Sequence, residues 1–156
     1  DRRASDPALK QMGTTLVMVW VRHDTAHIAH IGDSRCYLLG SGDPEQQTRD
    51  DSLVQNMIED GSITEMDARR VPFRNLLTRA LGSPRDVRAS FRRLLLKPGQ
   101  RLLLCSDGLT NSLPSRIWPA IIRPDDTPEW QVHQLVETSL QQRAEDNVSV
   151  VLIQSS

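Results

Sequence analysis

The chain has 156 residues, with 19 Lys+Arg against 20 Asp+Glu and a formal charge of -1, so no basic surplus is present to hold nucleic acid. A chain of this length buries roughly two-thirds of its unfolded surface, enough for one domain whose core needs no disulfide. With 38% hydrophobic and 4% aromatic residues that core has to be mostly aliphatic, and the longest apolar run, residues 16–21, is far short of the ~20 residues that span a bilayer. Residues 1–4 carry no hydrophobic signal region, and Cys36 and Cys105 sit in apolar runs without C-x-x-C spacing. They read as reduced core residues of a cytoplasmic protein with no membrane association.

In chain order, residues 14–21, 25–31 and 36–39 are short, rich in β-branched and apolar residues, and separated by polar or glycine breaks, which predicts an antiparallel meander. After the turn cluster Gly40-Ser41-Gly42-Asp43-Pro44, Leu53, Val54, Met57 and Ile58 recur at helical spacing behind Asp51 or Ser52 as cap, and Gly61 is placed to stop the helix. Thr64-Glu65-Met66-Asp67 resembles a capping box that opens a second short helix, which Pro72 should end. Residues 87–96 and 101–106 return to strand character across Lys97-Pro98-Gly99-Gln100, the composition and length of a hairpin turn. Residues 115–122 suit a helix broken at Pro119, and residues 128–143 a longer one with Trp130, Val132, Leu135, Val136 and Leu140 on one side. Residues 148–153 close as a strand. This order predicts a mixed α+β fold with mostly antiparallel sheet, and no G-x-G-x-x-G or Walker-type loop is present to cradle a phosphate.

Three aspartates sit at strand ends: Asp33 after Ile31-Gly32, Asp107 after Cys105-Ser106, and Asp146 before Asn147-Val148. Each alone suits an Asx-type turn. Adjacent antiparallel strands could gather all three, and clustered carboxylates repel unless a cation sits among them. An all-oxygen set of this kind favours Mg²⁺ or Mn²⁺ over zinc. Arg79 is suited either to contact a phosphate through its guanidinium fork or to anchor nearby chain to a carboxylate. His23, His27 and His30 have helical zinc spacing, but their segment is strand-like, which sends His27 and His30 to opposite faces. Ser34 and Ser106 lack a nucleophile elbow and a placed base, and read as turn hydroxyls.

Gly32-Asp33-Ser34-Arg35, Thr78-Arg79-Ala80-Leu81-Gly82, Ser106-Asp107-Gly108-Leu109-Thr110 and Glu145-Asp146-Asn147-Val148, preceded by Met12-Gly13-Thr14-Thr15, occur together in this order. In these motifs the chain resembles the protein phosphatase 2C family of metal-dependent serine/threonine phosphatases, its bacterial branch above all, from about residue 11 to the end. The resemblance implies a sandwich of two mostly antiparallel sheets flanked by helices, four layers in the order α-β-β-α, lacking the family's N-terminal strands. It also implies that Asp107 and Asp146 hold one Mg²⁺ or Mn²⁺, that Asp33 with Asp107 serves a further metal, and that residues 50–77 form a flap beside the site. No Asp-Gly-x-Gly-Gly motif occurs in the chain. The resemblance therefore implies residues 1–156 as a partial catalytic domain, completed by an N-terminal segment. It would hydrolyse phosphoserine and phosphothreonine on proteins by a metal-activated water, with Asp107 and Asp146 catalytic and Arg79 on the substrate. The alternative is a degenerate, non-catalytic module that binds a phosphoprotein or partner.

Overall fold

The computed structural model describes residues 12–154 apart from 41, 69, 83–86 and 124, so the expectations for residues 1–4 and for Ser41 of the turn cluster lie outside the described residues. β1 (Leu16–Arg22) and β2 (Thr25–Ile31) form an antiparallel hairpin. β1 alternates, packing Val17, Val19 and Val21 inward and turning Leu16, Met18 and Trp20 to solvent. The predicted meander ends there. Gly32, at φ 99°, redirects the chain, and β3 (Arg35–Leu39) leaves β2 for a second sheet.

The first sheet has the order β1-β2-β5, with β5 at Ser90–Leu95; the second has β4 (Glu45–Gln46), β3, β6 (Arg101–Cys105) and β7 (Val150–Gln154), and every pairing is antiparallel. The hairpin predicted around Pro98-Gly99 does not form. Its turn exists, with the Gln100 N–H donating to the Lys97 carbonyl at 3.0 Å and Gly99 at φ 79°, but it carries the chain from one sheet to the other. The reason is burial. Leu96 and Leu102, on either side of the turn, both enter the layer between the sheets with Ala26, Ile28, Cys36, Leu38 and Leu104, so β5 pairs with β2 and β6 with β3.

The other face of the second sheet is covered by α3 (Asp107–Ser112), a 3-10 turn (Ser115–Ile117), α4 (Trp118–Ile121) and α5 (Pro128–Gln141), which follow α1 (Leu53–Glu59) and α2 (Glu65–Ala68), the helices of the segment expected as a flap. Trp118 is fully buried, donates its indole N–H to the Leu113 carbonyl at 2.9 Å and meets the Tyr37 ring edge-on at 4.8 Å. Pro119 stands in the first turn of α4 and starts that helix, where its missing N–H costs nothing, instead of breaking a longer one. α5 also differs from expectation: its buried stripe is Gln131, Leu135 and Ser139, while Trp130 and Leu140 face solvent. Polar residues win these positions because Gln131 accepts from buried Arg101 at 2.5 Å and donates to the Arg123 and Asp126 carbonyls, and Ser139 pairs with Ser112. Among the described residues no helix covers the outer face of the β1-β2-β5 sheet, so three of the four expected layers are seen.

Cys36 lies between the sheets and Cys105 on the helix side of the second, so the two thiols face opposite ways and are unpaired. Burial pushes both up to about 12 from an ordinary value of 9.0. The unfolded chain therefore ionises first, and the stability these thiols contribute is complete below pH 9 and lost as pH rises towards 12. The expected result with an alkylating reagent at pH 8 is no labelling of the native chain and two adducts after denaturation, read by mass spectrometry.

Candidate metal and substrate site

Asp33 follows Gly32 in the turn that ends β2, and Asp107 opens α3 directly after β6. Both line one cavity of about 500 Å³, walled on the other side by the flap residues Ser52, Ile58, Glu65 and Arg74. Burial, and after it the charges of Asp107 and Asp50, pushes the Asp33 carboxyl up to about 6. Ionising Asp33 thus opposes folding when no cation is present: its contribution is complete below pH 3.8 and is lost as pH rises through about 6. The Asn111 side chain donates to Asp107 Oδ2 at 3.2 Å and steadies that carboxylate.

Asp146 reaches the same end of the molecule by a different route. The Ser106 N–H donates to the Ser149 carbonyl at 3.1 Å, its hydroxyl donates to the Asn147 carbonyl at 3.1 Å, and the Ser149 N–H donates back to that hydroxyl at 3.0 Å. Ser106 is thereby the staple joining the two acidic loops, a role richer than a turn hydroxyl. The packing is close enough that a Cβ on Gly108 would lie 2.4 Å from the Asn147 carbonyl oxygen and 3.4 Å from that of Asp146. The Asp146 carboxylate is exposed, accepts from the Asn147 N–H at 2.7 Å, and stands outside the cavity lining. Among the described residues no group of three or more His, Cys, Asp or Glu closes on one point that could hold a metal. The donors present, two carboxylates lining one cavity with a third on the adjoining loop, are hard oxygens of the type that suits Mg²⁺ or Mn²⁺. His27 is exposed and His30 buried, on opposite faces of β2, as the strand reading required.

The sequence reading missed two part-buried ion pairs, Arg35–Asp50 on the cavity wall and Arg79–Asp51 away from its lining. Arg35 donates through Nε and Nη2 to both oxygens of Asp50, at 2.6 Å for the closest contact, and through Nη1 to the Tyr37 hydroxyl at 3.1 Å. The acidic doublet Asp50-Asp51 is the available cue, but Asp51 and Ser52 are equally suited to cap the helix as far as sequence shows. Ser52 is the cap, accepting from the Gln55 N–H at 3.2 Å. Asp51 is fully buried; it accepts from the Gly32 N–H at 2.9 Å and pairs with Arg79. The flap's capping box is present, with Asp67 accepting from the Thr64 N–H at 3.1 Å and donating its own N–H to the Thr64 hydroxyl at 3.2 Å.

Arg79 also donates to Ser90 Oγ at 2.8 Å and to the Arg88 carbonyl at 3.2 Å, and it is absent from the residues lining the cavity. Together with the Thr78 N–H to Asp51 carbonyl bond at 2.8 Å and the Leu53 N–H to Leu76 carbonyl bond at 2.9 Å, it ties the two roots of the flap together. The Arg79→Ala chain is expected to lose about 2 kcal/mol of stability, because a buried carboxylate loses its cation while the arginine's own exposure moderates the loss. Denaturant unfolding checks this, and an unchanged midpoint would show that Arg79 is not the flap's anchor.

Residues 1–141 match the family model described as Protein phosphatase 2C. The chain belongs to the protein phosphatase 2C family. It is 36% identical over 147 residues to the serine/threonine protein phosphatase PstP of Mycobacterium tuberculosis, covering 94% of this chain and 28% of that protein. To the serine/threonine phosphatase stp of Listeria innocua it is 35% identical over 150 residues, covering 96% of this chain and 60% of that protein. The solved catalytic domain of a PstP in complex with two manganese ions superposes with a TM-score of 0.85 at 34% identity, over 98% of this chain and 63% of that one. The chain of this phosphatase-family protein thus spans less than two-thirds of each of these three relatives. No helix among its described residues is long and apolar enough to cross a membrane.

Proposed function

We propose that this chain forms the metal- and substrate-facing part of a protein phosphatase that hydrolyses phosphoserine and phosphothreonine on proteins. The observation that carries this reading is the pairing of Asp33 and Asp107 across one polar cavity, with Asp33 raised to about 6 by burial and by its neighbour's charge. Two carboxylates held at such cost are what a hard dication would repay in electrostatic stabilisation. Asp33, Asp107 and Asp146 are the residues that would hold Mg²⁺ or Mn²⁺, Asp107 serving both partners. Bound there, a dication supplies Lewis acidity towards phosphoryl oxygens and acidifies water. The protein's own residues do the rest. Ser106 and Gly108 keep the Asp146 loop against Asp107, Asn111 orients the Asp107 carboxylate, and the flap narrows the cavity over the substrate. Arg79 serves the substrate by holding the flap roots against Asp51, beside the cavity it helps to shape.

The outer face of the first sheet, where Trp20, Phe91 and Leu95 are 56%, 81% and 63% exposed, suits a complementing segment of polypeptide. Binding of a hydrophobic dye to this chain alone, abolished in a complete gene product, tests that part; equal binding by both overturns it. A cytoplasmic setting fits two unpaired buried thiols, and recovery of the protein outside the cytoplasm would overturn it.

The decisive experiment uses the complete gene product. Manganese is expected to support release of phosphate from phosphothreonine peptides, chelation to abolish it and manganese to restore it. An intact fold that binds phosphopeptide yet releases no phosphate at any metal concentration would establish the non-catalytic module instead.

A further inference from the structure

Beside the main cavity lies a second concavity of about 140 Å³, walled by Arg35, Tyr37, Thr110, Pro114, Ser115 and Arg116. It shares Arg35, Thr110 and Pro114 with the main cavity, so the two adjoin at these residues, beyond Asp107 along α3. Its volume is a few times the ~30 Å³ of a liquid water, room for one compact group and well under the ~300 Å³ where drug-sized sites begin.

The charge balance in this concavity differs from that of the main cavity. Arg35 is already spent, since Asp50 takes its Nε–Nη2 edge and the Tyr37 hydroxyl accepts from Nη1. Arg116, on the exposed 3-10 turn, makes no hydrogen bond or ion pair among the described residues, and the Ser115 hydroxyl beside it is likewise uncommitted there. One whole positive charge with a forked set of donors and an adjacent hydroxyl therefore faces a phosphate-sized space. Arg74, the cation that lines the main cavity from residues 50–77, is by contrast paired with Glu145 at 3.3 Å.

We propose that this concavity is an anion subsite, centred on Arg116 and Ser115, that takes a second phosphate or a carboxylate on the same phosphopeptide. The proposal rests on the phosphatase reading for what occupies the main cavity. Its geometry follows from α3. The six residues of α3 run about 8 Å along the axis from Asp107 to Ser112, Ser115 and Arg116 follow just beyond that end, and an extended peptide advances about 3.3–3.6 Å per residue. An anionic side chain two or three residues from the phosphorylated one spans the distance from the Asp107 end of the cavity to the neighbouring subsite.

The test compares phosphothreonine peptides that carry alanine, glutamate or phosphoserine two or three residues to either side, with p-nitrophenyl phosphate as the small substrate, on the complete gene product and its Arg116→Ala and Arg116→Lys variants. At one of these positions glutamate is expected to raise kcat/KM roughly threefold and phosphoserine roughly tenfold, through KM and less at high salt. Arg116→Ala removes the gain, Arg116→Lys keeps part of it, and turnover of p-nitrophenyl phosphate is unchanged in both. An advantage missing at every position, or one that survives in Arg116→Ala, overturns the subsite. Should the wild type turn over no substrate, the phosphatase reading fails separately. Fluorescence anisotropy of the same labelled peptides then reads the subsite, with equal affinity for wild type and Arg116→Ala as the overturning result.

Discussion

Replacing Asp107 with alanine in the complete gene product is expected to lower manganese-dependent phosphopeptide hydrolysis by at least about 100-fold, since even residues that only orient a metal ligand cost 10- to 100-fold. Asp107 is the acidic group common to every part of the site: it lines the cavity, its charge raises Asp33, and its helix packs on the loop that carries Asp146. The same substitution should move stability the other way. Without metal, Asp107 repels Asp33, so the alanine variant melts at a higher temperature than wild type in chelator, while wild type alone gains on adding manganese. Steady-state kinetics and thermal unfolding, each with and without manganese, check both halves. Activity of the variant within a small factor of wild type would remove Asp107 from the metal site.

Gly108→Ala is expected to destabilise the chain by about 3 kcal/mol, the upper end of the usual cost of overpacking, and to lower its melting temperature by roughly 6–12 °C. The added methyl would lie 2.4 Å from the Asn147 carbonyl oxygen and 3.0 Å from its carbon. Those are backbone atoms, held in place by the Ser106 bonds to Asn147 and Ser149, so no flexible side chain can step aside. Either α3 or the Asp146 loop has to move, and each movement separates Asp107 from Asp146. Metal affinity should therefore fall together with stability. Thermal unfolding and a manganese titration of the variant check this; an unchanged midpoint would mean that the loop yields at no cost.

Much of the element order was legible because hydrophobic period and turn chemistry act locally. The flap helix stops near Gly61, at φ 78°, and its second helix opens on the Thr64–Asp67 box, since caps depend on residues within a turn of one another. Pairing of strands was not legible. The Pro98-Gly99 turn looks the same whether β5 and β6 pair or part, and the choice was made by Leu96 and Leu102, which bury together with β2 and β3. The stripe on α5 failed for a related reason: Gln131 reads as polar surface until buried Arg101 supplies its partner.

The order of the four motifs, by itself, determined the family to which the chain belongs and named Asp33, Asp107 and Asp146, because acidic residues beside glycine and serine at strand ends are visible along one dimension. Only the tertiary structure decided which of them face one another. It set Asp33 and Asp107 on a shared cavity, left Asp146 on the adjoining loop, and gave Arg79 to Asp51. Electrostatic and steric forces act through space at a few ångströms, and only the sheet crossover at Gly32 and the close approach at Gly108 bring these distant residues within that range.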